Sequence, residues 1–575
     1  MNFNKRISII IASYYKPSDN YFQIVELKPL VLEDVKHCLE ASNKNANYSI
    51  VDLERVLALT NGYPMFLDLA INELEMVDIS DLNDSDFMTD KTDFNIPAIV
   101  LDYIRSLKDS TNRNERRCFS LLQLLAFLPK GETFKTISRF DSTNPFKPAD
   151  LIPLKDKDLI SKDYYYTFDE GRFIVTSSII RVPQVYKEFI FSLTDEETRR
   201  DIFSSICGMY FGDGWLLKSR VNIYSSHKGE YCSFAFHNAC VALKQLLVYT
   251  INTRKNDELV RYLRIAGQFV EQLKRQSFFY VANIISEELF LLEKDISVED
   301  ALQPLAYLKF LFADIKRLNY EYDEAETLFK ELLSDNKLSH DQRMTTFECL
   351  GYLSTNRGEN QMAMEYADKM RTECKKREVI NLMVADYIKT TNKIFDSDTQ
   401  KVKELNKLYN KAKKSNQPTL AVNIAIAIAN SEISEASLKK INTEVKTPNI
   451  SSYDRMRLLS AKYKLMTSSE LSKSINDEDI KDVRTVYSYS FMQMLTRMME
   501  DSHRILWDYY TAKNDYPMLV TLMKYSSFVW EMQNMTDSIN EYSDKIKNNV
   551  GFMSWIKDHL DNDDVIVLIN ERGIN

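Results

Sequence analysis

At 575 residues, 44% hydrophobic and 27% charged, the chain has room for several domains and the balance of a globular protein rather than a disordered one. Its 74 basic residues stand against 83 acidic ones, and a net charge of −9 argues against a protein that coats nucleic acid. Twelve glycines and thirteen prolines favour helices, and seven scattered cysteines (38, 118, 207, 232, 240, 349 and 374) without Cys-x-x-Cys spacing predict reduced thiols in a cytoplasmic protein. No run reaches the roughly 18 apolar residues of a membrane helix. The apolar run 7–12 after Lys5 and Arg6 is too short for a signal peptide and has no cleavage site. No membrane partner is expected.

Residues 7–13 read as a buried strand, a β-branched run stopped by polar residues and Pro17. Leu27-Lys28-Pro29-Leu30 then leads into a helix with Val35, Cys38 and Leu39 on its apolar side. A second helix over 51–60 carries Val51, Leu53, Val56, Leu57 and Leu59. Gly62 stands where a helix end wants a residue free to take positive φ, and Pro64 where the next helix tolerates a missing N–H. That third helix shows Phe66, Leu67, Leu69, Ala70 and Leu74. Residues 77–95 are polar and acidic, and read as a linker or exposed loop.

From 97 to 195 the pattern predicts helices at 97–108 and 114–128, with Cys118, Leu121, Leu122, Leu125 and Leu128 on one side of the latter. Short segments at 133–140 and 148–161 precede a hairpin with Asp169-Glu170-Gly171 at its turn. Three helices and a hairpin are the order of a winged-helix domain. Beyond 195 almost everything is amphipathic helix. Setting Gly351 beside Ala313 and Ala363 beside Ala325 aligns two units at a 38-residue offset, with small residues where paired helices approach closely. Further pairs are predicted at 378–414, 417–445, 452–470, 480–512 and 516–549. The fold class is mainly α: a remnant strand and helical lid, a winged helix, then a tetratricopeptide-like solenoid. The expected domains are 1–26, 27–95, 96–195, 196–300 and 301–575.

Residues 7–75 resemble the end of a STAND-type signalling NTPase module, the group that includes NLR immune receptors. The likeness lies in the strand, the Leu-Lys-Pro-Leu run and the Thr60-Asn61-Gly62-Tyr63-Pro64 turn. The resemblance implies that Gly62 and Pro64 form the lid's Gly-x-Pro element, with the proline against adenine. It also implies a winged helix at 97–195 and a repeat sensor arm. None of the twelve glycines opens a Gly-x-x-x-x-Gly-Lys-Ser/Thr run, so ATP or ADP would reach this chain only through a missing or separate core. Tyr14, Tyr15 and Lys16 stand where the family often places an arginine, and Ser177 and Ser178 where many relatives have a sensing histidine. No enzymatic activity is expected of this chain alone. The implied role is regulatory: the arm binds a protein ligand and controls a nucleotide switch and self-association. By family analogy the setting is bacterial stress or phage sensing. The alternatives are a winged-helix transcription regulator and a plain repeat scaffold.

Lys403, Lys407, Lys411 and Lys414 share one helix face, opposite Val402, Leu405, Tyr409 and Ala412, and form a candidate face for a polyanion or an acidic partner. Around 155–158 Lys and Asp alternate, which does not suit a helix that reads DNA. Arg497 and His503 loosely resemble the Arg-x(4–6)-His signature of HEPN ribonucleases. Six residues apart they point about 120° from each other on a regular helix, and an ordinary surface pair is expected. The six histidines show no metal-ligand spacing.

Overall fold

The computed structural model describes residues 30–42, 50–60, 64–74 and 98–560, except 142, 170–171, 218–232, 336, 376 and 449. A few isolated positions beside these are also described, Gly62 among them. The expected strand 7–13 and Lys16 lie outside the described residues. The chain divides into two compact units, Met1–Asp163 with Ser178–Ile202 and Tyr164–Ser177 with Phe203–Asn575. The division falls inside the hairpin and inside a helix.

In the first unit, α1 (Leu32–Ser42), α2 (Ile50–Thr60) and α3 (Pro64–Glu73) enclose a small core of Val35, Leu39, Leu53, Val56, Leu67 and Ala70. Next come α4 (Ala98–Asp109) and α5 (Arg113–Ala126), whose start is capped by the Asn112 side chain accepting from the Asn114 N–H. Leu121, Leu122, Leu125 and Leu128 are fully buried, as the helical spacing predicts. After α6 (Phe134–Ile137), a 3-10 turn runs into α7 (Ile152–Lys155), shorter than the predicted 148–161. Asp158 takes the left-handed conformation at φ 51°, so the helix cannot continue.

The hairpin pairs β1 (Ser161–Asp169) with β2 (Arg172–Arg181), and Glu132 bridges to Ile180 through N–H···O distances of 3.0 and 2.8 Å. Gly131, at φ 69°, lets the chain turn against that strand. Then follow α8 (Gln184–Ser192) and α9 (Glu196–Phe211). Lys108 Nζ donates to the Leu193 carbonyl at 2.9 Å and Gln123 to Thr194 Oγ1 at 3.1 Å, which ties α4 and α5 to the end of α8.

Among its described residues, the second unit is helical apart from the hairpin's outer part and connecting turns. Its helices are α10 (Ser233–Thr253), α11 (Asn256–Arg275), α12 (Phe279–Phe290), α13 (Glu299–Leu318), α14 (Tyr322–Ser334), α15 (His340–Arg357), α16 (Asn360–Glu373) and α17 (Val379–Asn392). They continue as α18 (Asp398–Lys414), α19 (Pro418–Ser431), α20 (Glu435–Val445), α21 (Ser452–Met466) and α22 (Asp477–Met492). The last are α23 (Thr496–Lys513), α24 (Tyr516–Met532), α25 (Thr536–Lys547) and α26 (Val550–Asp558). From α11 to α23 each odd-numbered helix packs on its successor and on the next odd-numbered helix, the pattern of stacked helical pairs.

The small residues that define the 38-residue offset, Ala313, Ala325, Gly351 and Ala363, are all buried. A Cβ on Gly351 would lie 2.9 Å from Ile388 Cδ1 of α17. The same offset recurs as side-chain contacts between successive pairs: Asn283–Glu321 (3.1 Å), Lys337–Glu299 (3.1 Å), His340–Glu378 (3.0 Å), Lys473–Glu435 (2.7 Å) and Ser538–Glu500 (2.7 Å). The predicted pairs 452–470 and 480–512 are out of frame: α21 is one helix, and its partner is α22. Phe234–Thr253 is longer and more apolar than expected, with mean hydropathy 1.2, and 61% of its most apolar stretch is buried, as in a core helix. It packs on α11 and α12.

One set of contacts spans far more sequence. The Tyr453 N–H donates to Ser277 Oγ (3.3 Å), the Tyr489 hydroxyl to the Ser277 carbonyl (3.1 Å), and the Tyr280 N–H to Gln493 Oε1 (3.3 Å). The α11–α12 turn therefore docks on α21 and α22.

Candidate functional site

The turn between α2 and α3 is held from both sides. Buried Thr60 donates its hydroxyl to the Val56 carbonyl (2.8 Å) and accepts from the Gly62 N–H (3.4 Å). Gly62 is buried at φ 69°, a conformation that costs a side-chain-bearing residue about 1–2 kcal/mol. Its carbonyl accepts from the Leu30 N–H at 2.7 Å. The Val31 N–H, one residue on, is capped by Asp34 Oδ2 at 3.0 Å. The starts of α1 and α3 are thereby brought together, with Pro64 exposed at the first position of α3. Gly62 acts through backbone shape, whereas Pro64 offers a ring to solvent.

On α18 all four lysines, Lys403, Lys407, Lys411 and Lys414, are exposed, and Val402, Leu405, Tyr409 and Ala412 are buried. Lys407 pairs with Glu404 at 2.6 Å along the same helix, so part of that face is already neutralised. A cavity of about 290 Å³ lies beside α18, lined by Asn406, Tyr409, Glu432, Ser437, Lys439 and Lys440. Lys440 Nζ sits 3.9 Å over the Tyr409 ring, and burial pushes its pKa down against the opposing pull of Glu444. Glu444, fully buried, accepts from the Tyr409 hydroxyl, Lys413 (3.0 Å) and Thr447 (3.2 Å).

Arg497 and His503 do not form a site, and His503 is no surface residue. Arg497 is exposed, and its guanidinium stacks on Tyr320 at 5.4 Å from the ring centre. His503 is fully buried inside a box of Trp507, Trp530 and Tyr542. Its Nδ1 lies 2.7 Å from Ser526 Oγ, and Nε2 finds no protein partner. Burial, with a smaller push from Lys545, holds its pKa well below the ordinary value. The folded state therefore keeps His503 neutral, while the unfolded chain takes a proton below about pH 6.5. No penalty exists above that pH. From pH 7.5 to 5.5 His503 should cost about 1.4 kcal/mol of stability, read as the difference in urea midpoints between wild type and His503→Gln.

A cluster absent from the sequence-level expectations gathers around the α13–α14 turn. Tyr320, in the left-handed region at φ 67°, packs edge-on to Tyr322 with ring centres 6.0 Å apart. Burial raises the Tyr320 pKa, and Arg457 and Arg497 are the main charges that oppose it; Arg497 and Arg317 do the same at Tyr322. Arg457 stacks on Tyr453 (5.3 Å) and donates to Asn423 Oδ1 (2.8 Å). Beside this, Asp314 accepts from Arg317 (2.7 Å), Lys274 and the Cys349 thiol (3.3 Å). These residues are scattered from 274 to 497, on α11, α13, α14, α15, α19, α21 and α23 and the α13–α14 turn. No local pattern could have joined them.

Lys155 and Lys157 are exposed beside Asp156 and Asp158, and Ser178 is exposed on β2, with the Ser177 side chain outside the described part. Among the described residues no group of three or more His, Cys, Asp or Glu is placed to hold a metal ion, and the six described cysteines are free thiols.

No family model and no curated protein matches the chain. Among solved structures, it is similar to the crystal structure of a Signal Transduction ATPase with Numerous Domains (STAND) protein with a tetratricopeptide repeat sensor from Pyrococcus horikoshii. The two are 14% identical, the match covers 95% of this chain and 69% of that one, and the TM-score is 0.39. A likeness of that size assigns no family.

Proposed function

We propose that this chain is the regulatory and sensor part of a STAND-like signalling protein, in which the stacked helical pairs bind a protein ligand and control a nucleotide-dependent switch. The observation that carries the reading is the 2.7 Å bond from the Leu30 N–H to the Gly62 carbonyl. It joins the Leu-Lys-Pro-Leu run to the Gly-Tyr-Pro turn and leaves Pro64 exposed. An apolar ring exposed at the first position of a helix fits one face of an adenine base. The residues of this chain fit that side of a nucleotide alone, since no phosphate cradle is encoded. Bound nucleotide would supply a charge-dependent link between this lid and the residues that hold its phosphates.

The hairpin domain fits a winged helix, with the Glu132–Ile180 bridge as its third strand position. Its use as a DNA reader gains no support: α7 ends at Lys155, and the exposed charges beyond it alternate in sign. Phage or stress sensing in a bacterium is the setting we assign by family analogy.

The test is ADP binding by the chain expressed together with the coding sequence that precedes it. Calorimetry should show ADP affinity falling about tenfold in Pro64→Ala, roughly 1.4 kcal/mol. Absence of binding, or equal affinity in the variant, would refute the reading.

A further inference from the structure

The arginine–tyrosine cluster has the chemistry of a recognition site. Arg317, Arg457 and Arg497 come from α13, α21 and α23 and surround Tyr320, Tyr322 and Tyr453. The carboxylates present are already engaged. Asp314 is shared by Lys274 and Arg317, and Asp454 accepts from Arg457 at 3.2 Å. Arg497 has no acidic partner among the described residues, although it is exposed and its guanidinium plane is oriented by Tyr320. Four cations, Lys274, Arg317, Arg457 and Arg497, thus face two carboxylates on a chain whose net charge is −9. Glu348, near the Lys274 end, is a third carboxyl, its pKa raised by burial against the opposing pull of Arg317 and Lys274.

Tyr320 holds positive φ although tyrosine is poorly suited to it, and the turn it occupies packs against the core of α21 to α25. Tyr320, half-buried, lies where distant helices meet.

We propose that this cluster binds an acidic peptide segment of the protein ligand, its carboxylates accepting from exposed Arg497, with Arg317 and Arg457 adding positive charge behind it and the Tyr320 ring beside it. Arg forks match carboxylates in two-point geometry, and aromatic stacking holds them ready. The inference rests on the sensor reading given above and names the ligand chemistry for it.

The test uses the full chain and a fluorescein-labelled octaglutamate peptide, read by fluorescence anisotropy at 150 mM salt. Wild type should bind, and Arg497→Glu should weaken binding about tenfold or more. Arg497→Lys, which keeps the charge but loses the fork, should fall between. Arg254→Glu, an exposed control on another turn, should stay within about twofold of wild type. All four proteins should show the same melting temperature and circular dichroism, because both arginines are exposed. No peptide binding, equal losses at Arg497 and Arg254, or displacement of the peptide by equimolar inorganic phosphate would overturn the proposal. If the peptide fails while ADP binding still depends on Pro64, the acidic-ligand inference falls and the nucleotide switch stands; the converse result separates them the other way.

Discussion

Asp314→Ala should destabilise the second unit by about 3–5 kcal/mol, measured as the shift of its urea unfolding transition. The Asp314 side chain is almost wholly buried and is the common acceptor of Lys274 on α11 and Arg317 on its own helix, with the Cys349 thiol of α15 on the same oxygen as Arg317. Desolvation alone would raise its pKa. The two cations outweigh that and hold the carboxyl far below the usual range. Its contribution is therefore complete above about pH 3.8 and is lost as pH falls toward the depressed folded value. Removing the carboxylate leaves two cations facing each other in a poorly solvated place, a larger loss than the pair's net worth. Asp314→Asn should cost nearly as much, since it keeps volume but not charge. A loss below about 1 kcal/mol in either variant would mean that water reaches these cations freely.

Gly131→Val should cost the first unit about 4 kcal/mol and leave the second unit's transition unchanged. At φ 69° any side chain pays about 1–2 kcal/mol for the left-handed conformation. The added Cβ would also lie 2.6 Å from the Ile180 carbonyl oxygen and 2.8 Å from Arg181 Cβ. The nearest atom is strand backbone, which cannot rotate away as a side-chain tip can. Relief requires β2 to move off Glu132, which breaks both bonds of the bridge. Gly131→Ala should show most of the effect, because the first carbon makes the clash. Equal stability of Gly131→Ala and wild type would show that the Glu132–Ile180 pairing is loose.

Periodicity made the helices readable, and burial followed it: Leu121, Leu122 and Leu125 on α5, and Val402, Leu405, Tyr409 and Ala412 on α18, are all buried. The 38-residue offset was visible at four small residues because close helix contact limits size at those places. Its extension from Asn283 to Ser538 was not, since it is carried by polar pairs of changing chemistry. The pair boundaries slipped after residue 450 for a related reason. Among the described turns beyond residue 233 whose residues take positive φ, only the one at Gly358 uses glycine; Arg254, Ser277, Tyr320, Asn416, Ser472, Met494, Asn514 and Asn534 occupy the same conformation. Glycine, the usual signal of a helix end, was thus missing where it was most needed. His503 misled for the opposite reason. A polar residue beside Asp501 and Arg504 looks solvent-facing, yet its face of α23 is the one toward Trp530 and Tyr542. The arginine–tyrosine cluster depends on the docking of the α11–α12 and α13–α14 turns on helices well over a hundred residues later, and such pairing has no local signature.

The proposed nucleotide side rests on Gly62 and Pro64, and the structure adds the bond from the Leu30 N–H to the Gly62 carbonyl. Hydrogen exchange measured by mass spectrometry, on the chain expressed with its preceding coding sequence, tests the switch most directly. ADP should slow exchange in peptides covering 30–42 and 60–74, with the Leu30 amide among the most protected, and Pro64→Ala should need about tenfold more ADP for the same protection. Identical exchange in those peptides with and without ADP would contradict a lid that closes on nucleotide.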